Sequence, residues 1–200
     1  MALAVRVSEI TPPAAEPLTM AQLKAHCVVT HDNDDALLAL YGRAARLYVE
    51  AVTRRLLITR TVEFWADGFP HCRRDLWLPR APIQSVTWVK YYDQAGTLQT
   101  LSSAAYSLES PGGEFGQNAR LILATDYQWP ATQCRSSAVM VRAVGGYGDE
   151  GDDVAEGLRG MIRLLVAHWH STREAVVIGG APASVPHGFD ALMWMYRIEP

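Results

Sequence analysis

The chain has 200 residues, 49% of them hydrophobic and 20% charged, with a formal net charge of -3. That balance describes one globular domain with a real core, or one domain with a small insertion, and excludes a chain disordered throughout. The acidic total also counts against a protein whose main task is gripping nucleic acid, because phosphate binding draws its affinity from an excess of Lys and Arg.

The elements follow in chain order. Pro12 and Pro13 open an irregular lead-in. Thr19 then opens a helix over 19–27: it is a good N-cap, Gln22 completes a capping box, and Leu18 with Leu23 has the spacing of a hydrophobic staple. A second helix is expected over 33–55. Leu37, Leu40, Tyr41, Ala44, Tyr48, Ala51 and Val52 recur at three- and four-residue spacing, the stripe of a half-buried helix. Asp34 and Asp35 at its start and Arg54 and Arg55 at its end suit the helix dipole.

From 57 to 145 the pattern turns to short strands. Val62, Phe64 and Ala66 alternate with Thr61, Glu63 and Trp65, and Asp67-Gly68 ends the run as a turn. RDLWLP follows, then SVTWVKYYDQAGTLQTL, a hairpin with its turn at Asp93 to Gly96. YSLES, ARLILA and SSAVMVRAVGGYG complete the block, the last with Val139, Val141 and Ala143 on one face. Strands in succession without helices between them imply antiparallel pairing. A third helix over 153–173 carries Leu158, Met161, Ile162, Leu165 and Trp169 as its stripe.

The predicted fold class is α+β. A helical core, with the long N-terminal helix packed on the C-terminal helix, carries an inserted antiparallel β-sheet. One domain is expected over 1–178, followed by a linker and a short interaction segment over 179–200. The three cysteines, Cys27, Cys72 and Cys134, are scattered and lack any CxxC, so they indicate neither a zinc ribbon nor a thioredoxin-like site. They suit a reducing compartment. The opening segment lacks the apolar run of a signal peptide, and no stretch approaches the roughly 18 uncharged apolar residues of a membrane span. Synthesis in the cytoplasm is the expectation.

No residue is assigned to catalysis, to a cofactor or to a metal. Gly146, Gly148 and Gly151 satisfy GxGxxG between a strand and a helix. However, Asp149, Glu150, Asp152 and Asp153 crowd the helix start, where a pyrophosphate needs positive potential, and no βαβ unit follows. His168 and His170 lie two apart, which points them to opposite sides of a helix. His26-Cys27 and His71-Cys72 are adjacent pairs that do not converge two ligands. Asp32, Asp34 and Asp35 lack the Gly and distant Glu of an EF-hand loop and read as a helix start. Arg43, Arg46, Arg54 and Arg55 are the nearest thing to a basic recognition helix, but Glu50 interrupts them.

The carboxyl end is the segment with something to explain. Phe189, Leu192, Met193, Trp194, Met195, Tyr196 and Ile198 fall on every side of any helix. A short segment tethered through GGAPASVP cannot bury all of them on its own domain. Aromatic and Met enrichment is typical of interface cores, so these seven residues are the candidate partner-docking surface.

Several segments taken together resemble the phage head–tail connector (adaptor) family. EPLTMAQLKAH, DNDDALLALY, the YVEAVTRRLLITRT passage, LPRAPIQSVTWVKYYDQAGTLQTL, VRAVGGYGD with LRGMIRLLVAHWH, and PHGFDALMWMYRI are colinear with that family over about residues 16–197. Gene transfer agents carry similar proteins. The resemblance implies a dodecameric ring under the portal protein, at the particle's neck. The ring continues the DNA channel without sequence-specific binding and receives a stopper or other tail-side neck protein. It also implies that the C-terminal segment reaches into the portal. One departure stands out: the family's Thr-Gly-Arg turn reads Thr53-Arg54-Arg55, which predicts a longer or straighter helix end. The rival reading is a small soluble metal-dependent or hydrolytic enzyme, which bound zinc in the purified protein would revive.

Overall fold

The computed structural model describes residues 5–71, 73–172 and 187–199. The chain is α+β, with eight strands and four α-helices among these residues. It divides into two compact units, one over 1–14 and 59–146, the other over 15–58 and 147–199. The junction expected at 178/179 and the linker from Gly179 lie outside the described residues, as does Cys72.

The first unit is built from strands. A five-stranded antiparallel sheet has the order β1 (Val5–Glu9), β2 (Arg60–Ala66), β8 (Val139–Gly145), β4 (Ile83–Tyr92), β5 (Leu98–Leu101). A three-stranded sheet has the order β3 (Asp75–Leu78), β7 (Ala119–Leu123), β6 (Tyr106–Glu109). The predicted alternation holds in β2 and β8: Val62, Phe64, Ala66, Val139, Val141 and Ala143 are all buried, with Phe64 registered opposite Val141. Glu63 on the other face is buried too, because Arg142 directly across the ladder pairs with its carboxylate.

Beyond the strands, Phe69 stacks on Trp129 with ring centroids 4.7 Å apart and meets Tyr91 edge-on. At the β4–β5 turn, Asp93 Oδ1 accepts from the backbone N–H of Ala95 and Thr97, and its Oδ2 accepts from Gln99. The Gln99 bond, then the Thr97 backbone bond, hold this carboxyl below its ordinary pKa.

β1 precedes the irregular lead-in at Pro12 and Pro13 and was not anticipated from the sequence. Its residues pair with β2 from Val5 opposite Ala66 to Glu9 opposite Val62. Glu9 reaches Arg60 at 3.2 Å, and Arg6 donates to Ser136, Ser137 and Asp67. Five residues are too few to declare a strand by alternation. The partner strand supplies the register.

The second unit is helical: α1 (Met20–Cys27), α2 (Asp35–Thr53), α3 (Glu156–Ser171) and α4 (His187–Tyr196). The α1 capping box forms as the residues predict, with Thr19 and Gln22 each accepting from the other's backbone N–H. Leu18 and Leu23 are both buried. Gly42 lets α1 pass close over α2, since a Cβ there would sit 3.1 Å from Leu23. The core gathers Leu18, Leu38, Val49, Leu57, Leu158, Met161, Ile162 and Leu165 from both halves of the chain. Each such side chain contributes roughly 1.5–3 kcal/mol relative to exposure.

α2 corrects two expectations. Its buried face runs through Leu38, Gly42, Ala45, Val49 and Thr53, about a third of a turn from the centre of the predicted stripe. Leu40, Tyr48 and Ala51 are exposed, while Leu37, Tyr41, Ala44 and Val52 are half-buried. The helix also stops at Thr53 without a glycine, because Arg54 itself takes the left-handed conformation at φ 60°, ψ 29°. No extension follows from the missing Gly. Arg54 strains into the conformation that Gly would adopt freely.

Candidate partner-docking site at the carboxyl end

α4 lies on α3 because α3 offers it a smooth track. Gly157 and Gly160 leave two gaps one turn apart on α3. The Tyr196 ring covers Gly157, where a Cβ would stand 2.5 Å from the ring. Leu192 Cδ1 comes to 3.9 Å from the Cβ position at Gly160, and Leu164 Cδ1 to 3.9 Å from that at Gly188. The pairs 188/164, 192/160 and 196/157 run α4 antiparallel to α3.

The other flank of α4 meets α2. Phe189 and Tyr48 are 5.8 Å apart in a tilted ring pair. The last turn of α2 and the residues after α4 are joined by main chain: Ile198 N–H donates to the Thr53 carbonyl at 3.1 Å. Arg55 is buried between these strands of contact. Its Nε donates to the Tyr196 carbonyl at 2.7 Å and its Nη1 to the Tyr147 hydroxyl at 2.9 Å. A buried carbonyl left unpaired costs about 1–3 kcal/mol, so this arginine fixes where α4 ends.

The seven candidate docking residues are therefore divided. Phe189, Tyr196 and Ile198 are buried in the helical unit's own core, Leu192 and Met193 are half-buried, and Trp194 and Met195 stand 67% and 58% exposed. The picture of a tail withheld entirely from its own body is corrected for the three buried residues. The glycine track and the Arg55 clamp provide a seat that hydrophobicity alone did not reveal. Trp194 and Met195 remain an outward pair.

The other sequence candidates resolve into structural roles. Arg46 is buried between Glu16 at 2.7 Å and Glu50 at 3.0 Å, and Glu50 also accepts the Leu57 N–H. Burial works against the Arg46 charge, but the Glu16 hydrogen bond and the Glu50 charge outweigh it, and its pKa is raised. With Arg46 and Arg55 buried, the four arginines present no basic face. Lys24 pairs with Asp32 and Asp35, so the protein's own ammonium already stands between two carboxylates of the acidic cluster. His170 Nε2 lies 3.1 Å from Asp34, joining the end of α3 to the start of α2.

Gly148 carries the Asp153 carboxylate against its α-carbon, and Gly151 faces the Pro17 carbonyl. The glycine turn is thus filled by the protein's own oxygens, which no phosphate would displace. Burial raises the pKa of the Cys27 thiol, and Cys27 packs at the edge of the helical core. Among the described residues no three His, Cys, Asp or Glu side chains converge as metal ligands. No described helix is long and apolar enough to cross a membrane.

The described residues thus form two antiparallel sheets and a four-helix unit whose last helix is seated on the others, a fold shared with chains of gene transfer agent particles. No family model and no curated protein matches the chain by sequence. Solved structures match it over nearly its whole length. A chain in the virion of a native gene transfer agent particle aligns with a TM-score of 0.76 and 25% identity, covering 97% of this chain and 96% of that one. A chain from the neck of an empty gene transfer agent particle, computed with C6 symmetry, gives 0.77 and 23%, covering 98% and 96%. One from the neck of a native particle, computed with C12 symmetry, gives 0.71 and 22%, also covering 98% and 96%.

Proposed function

We propose that this chain is a structural subunit of a particle neck, one copy in a ring that joins a DNA-filled head to its tail. The observation carrying this reading is the whole-chain likeness to neck and virion proteins of gene transfer agents. Local matches to a common helix bundle would support far less. The role is mechanical: the ring holds, spaces and lines a conduit, and turns over no substrate. Twelve copies suit the symmetry of the neck that one neighbour occupies.

The outward Trp194 and Met195 are the part of the tail offered to the portal protein. A tryptophan and a methionine side by side make an interface anchor, and repetition around a ring makes a weak single contact durable. The tail-side face of the ring would receive the stopper. The test is to compare particles and portal capture for the intact chain, for a chain ending at residue 186, and for Trp194→Glu. Loss of capture in both variants, with particles lacking a joined neck in the truncated one, is the expected outcome. Normal necks and normal portal capture in both would overturn the portal assignment.

A further inference from the structure

The outer face of α2 carries a second apolar seam. Leu37, Leu40, Ala44, Leu47 and Ala51 are spaced three, four, three and four residues apart, the a/d positions of two heptads. The diametrically opposite positions, Gly42 and Val49, are buried in the unit's own core. The helix is therefore apolar on both sides, and one side is already used. On the other, Leu40 and Leu47 are 62% and 52% exposed, with Tyr48 flanking them up to the edge of α4. Small alanines alternating with leucines let another element approach closely, and residues 37–51 present a track about 21 Å long.

We infer that this seam is the contact between neighbouring copies of this chain. The inference rests on the ring reading proposed above. Two observations favour a second copy as the occupant. The neighbours of this fold stand in necks of sixfold and twelvefold symmetry, where every copy must present a lateral face to the next. The seam is also continuous along most of the length of α2, whereas the exposed pair at the carboxyl end is a point contact. Two identical seams laid together would close a dimer about a twofold axis. A ring needs the seam of one copy on a different face of the next.

The test places a photo-cross-linking residue, Leu47→p-benzoylphenylalanine, in the full chain incorporated into particles, and a second at Trp194 in a separate chain. Both positions are exposed, so folding is not at stake. The expected product at 47 is a covalent dimer of this chain, with the captured peptide mapping outside residues 37–51. A cross-link from 47 to the portal or another protein, one joining seam to seam, or no product at all would overturn the inference. The Trp194 probe reports separately on the portal contact, so the two assignments fail independently. If the chain is missing from purified particles the neck reading falls instead. Only an intermolecular product at 47 on the purified, concentrated chain would then uphold the seam, and its absence would end it.

Discussion

Arg55 heads the fully buried side chains by volume. A guanidinium in such a place is costly unless it is hydrogen-bonded, and two of its donors go to the Tyr196 carbonyl and the Tyr147 hydroxyl. Gly157 is its counterpart on the other side of Tyr196. Alanine there would gain about 1 kcal/mol of helix propensity. It would also press a methyl group into an aromatic ring that cannot yield, and overpacking of that kind costs about 1–3 kcal/mol. The second effect wins. Gly157→Ala is expected to lower stability in urea by about 1 kcal/mol and to speed amide exchange over residues 187–198 ahead of the rest of α3. Unchanged exchange in that segment would show that the track is not what holds α4. The glycines were visible in the sequence, but their use was not. A gap on one helix has meaning only once a ring is known to lie over it.

Among the elements, α2 shows where periodicity informs and where it stops. The helix itself was legible from its spacing, its acidic start and its length. Its inward face was not, because apolar residues lie on opposite sides and the pattern alone cannot say which side meets the core. The outcome depended on packing against α1, just ahead of it, and α3, more than a hundred residues further along the chain. The end of α2 carries a measurable consequence. A left-handed residue other than glycine costs about 1–2 kcal/mol, and glycine returns some of that as unfolded-state entropy. Arg54→Gly is therefore expected to stabilise the protein by about 0.5–1 kcal/mol, read as a higher urea midpoint at unchanged slope. A lower midpoint would mean that the Arg54 side chain does more for the native state than its backbone takes away. β1 was missed for the complementary reason: a strand of five residues at an edge owes its register to β2.

For the whole molecule, the α+β class and the antiparallel block followed from the order of segment types, which no later packing detail could change. The likeness to head–tail connector proteins was legible only as a colinear series of short segments. The division of the tail into buried and outward residues needed three dimensions. Charge gives a further prediction at this scale. With a net charge of -3 and Arg46 and Arg55 enclosed, the purified chain is expected to leave the mobility of duplex DNA unchanged at about 150 mM salt. A retarded band would reveal a basic surface that the net charge and the enclosed arginines do not lead one to expect.

The helical unit is discontinuous, with most of the strand-built unit lying between its two halves in sequence. On a ribosome, Leu38, Val49, Leu57 and Ile58 emerge long before Leu158, Met161 and Ile162, their partners in the core. At about 5–20 residues per second the interval lasts several seconds. For that time the nascent chain carries an open greasy surface while most of the strands behind it can already pair. A chaperone is therefore expected to engage the nascent chain in that interval, before Leu158 emerges.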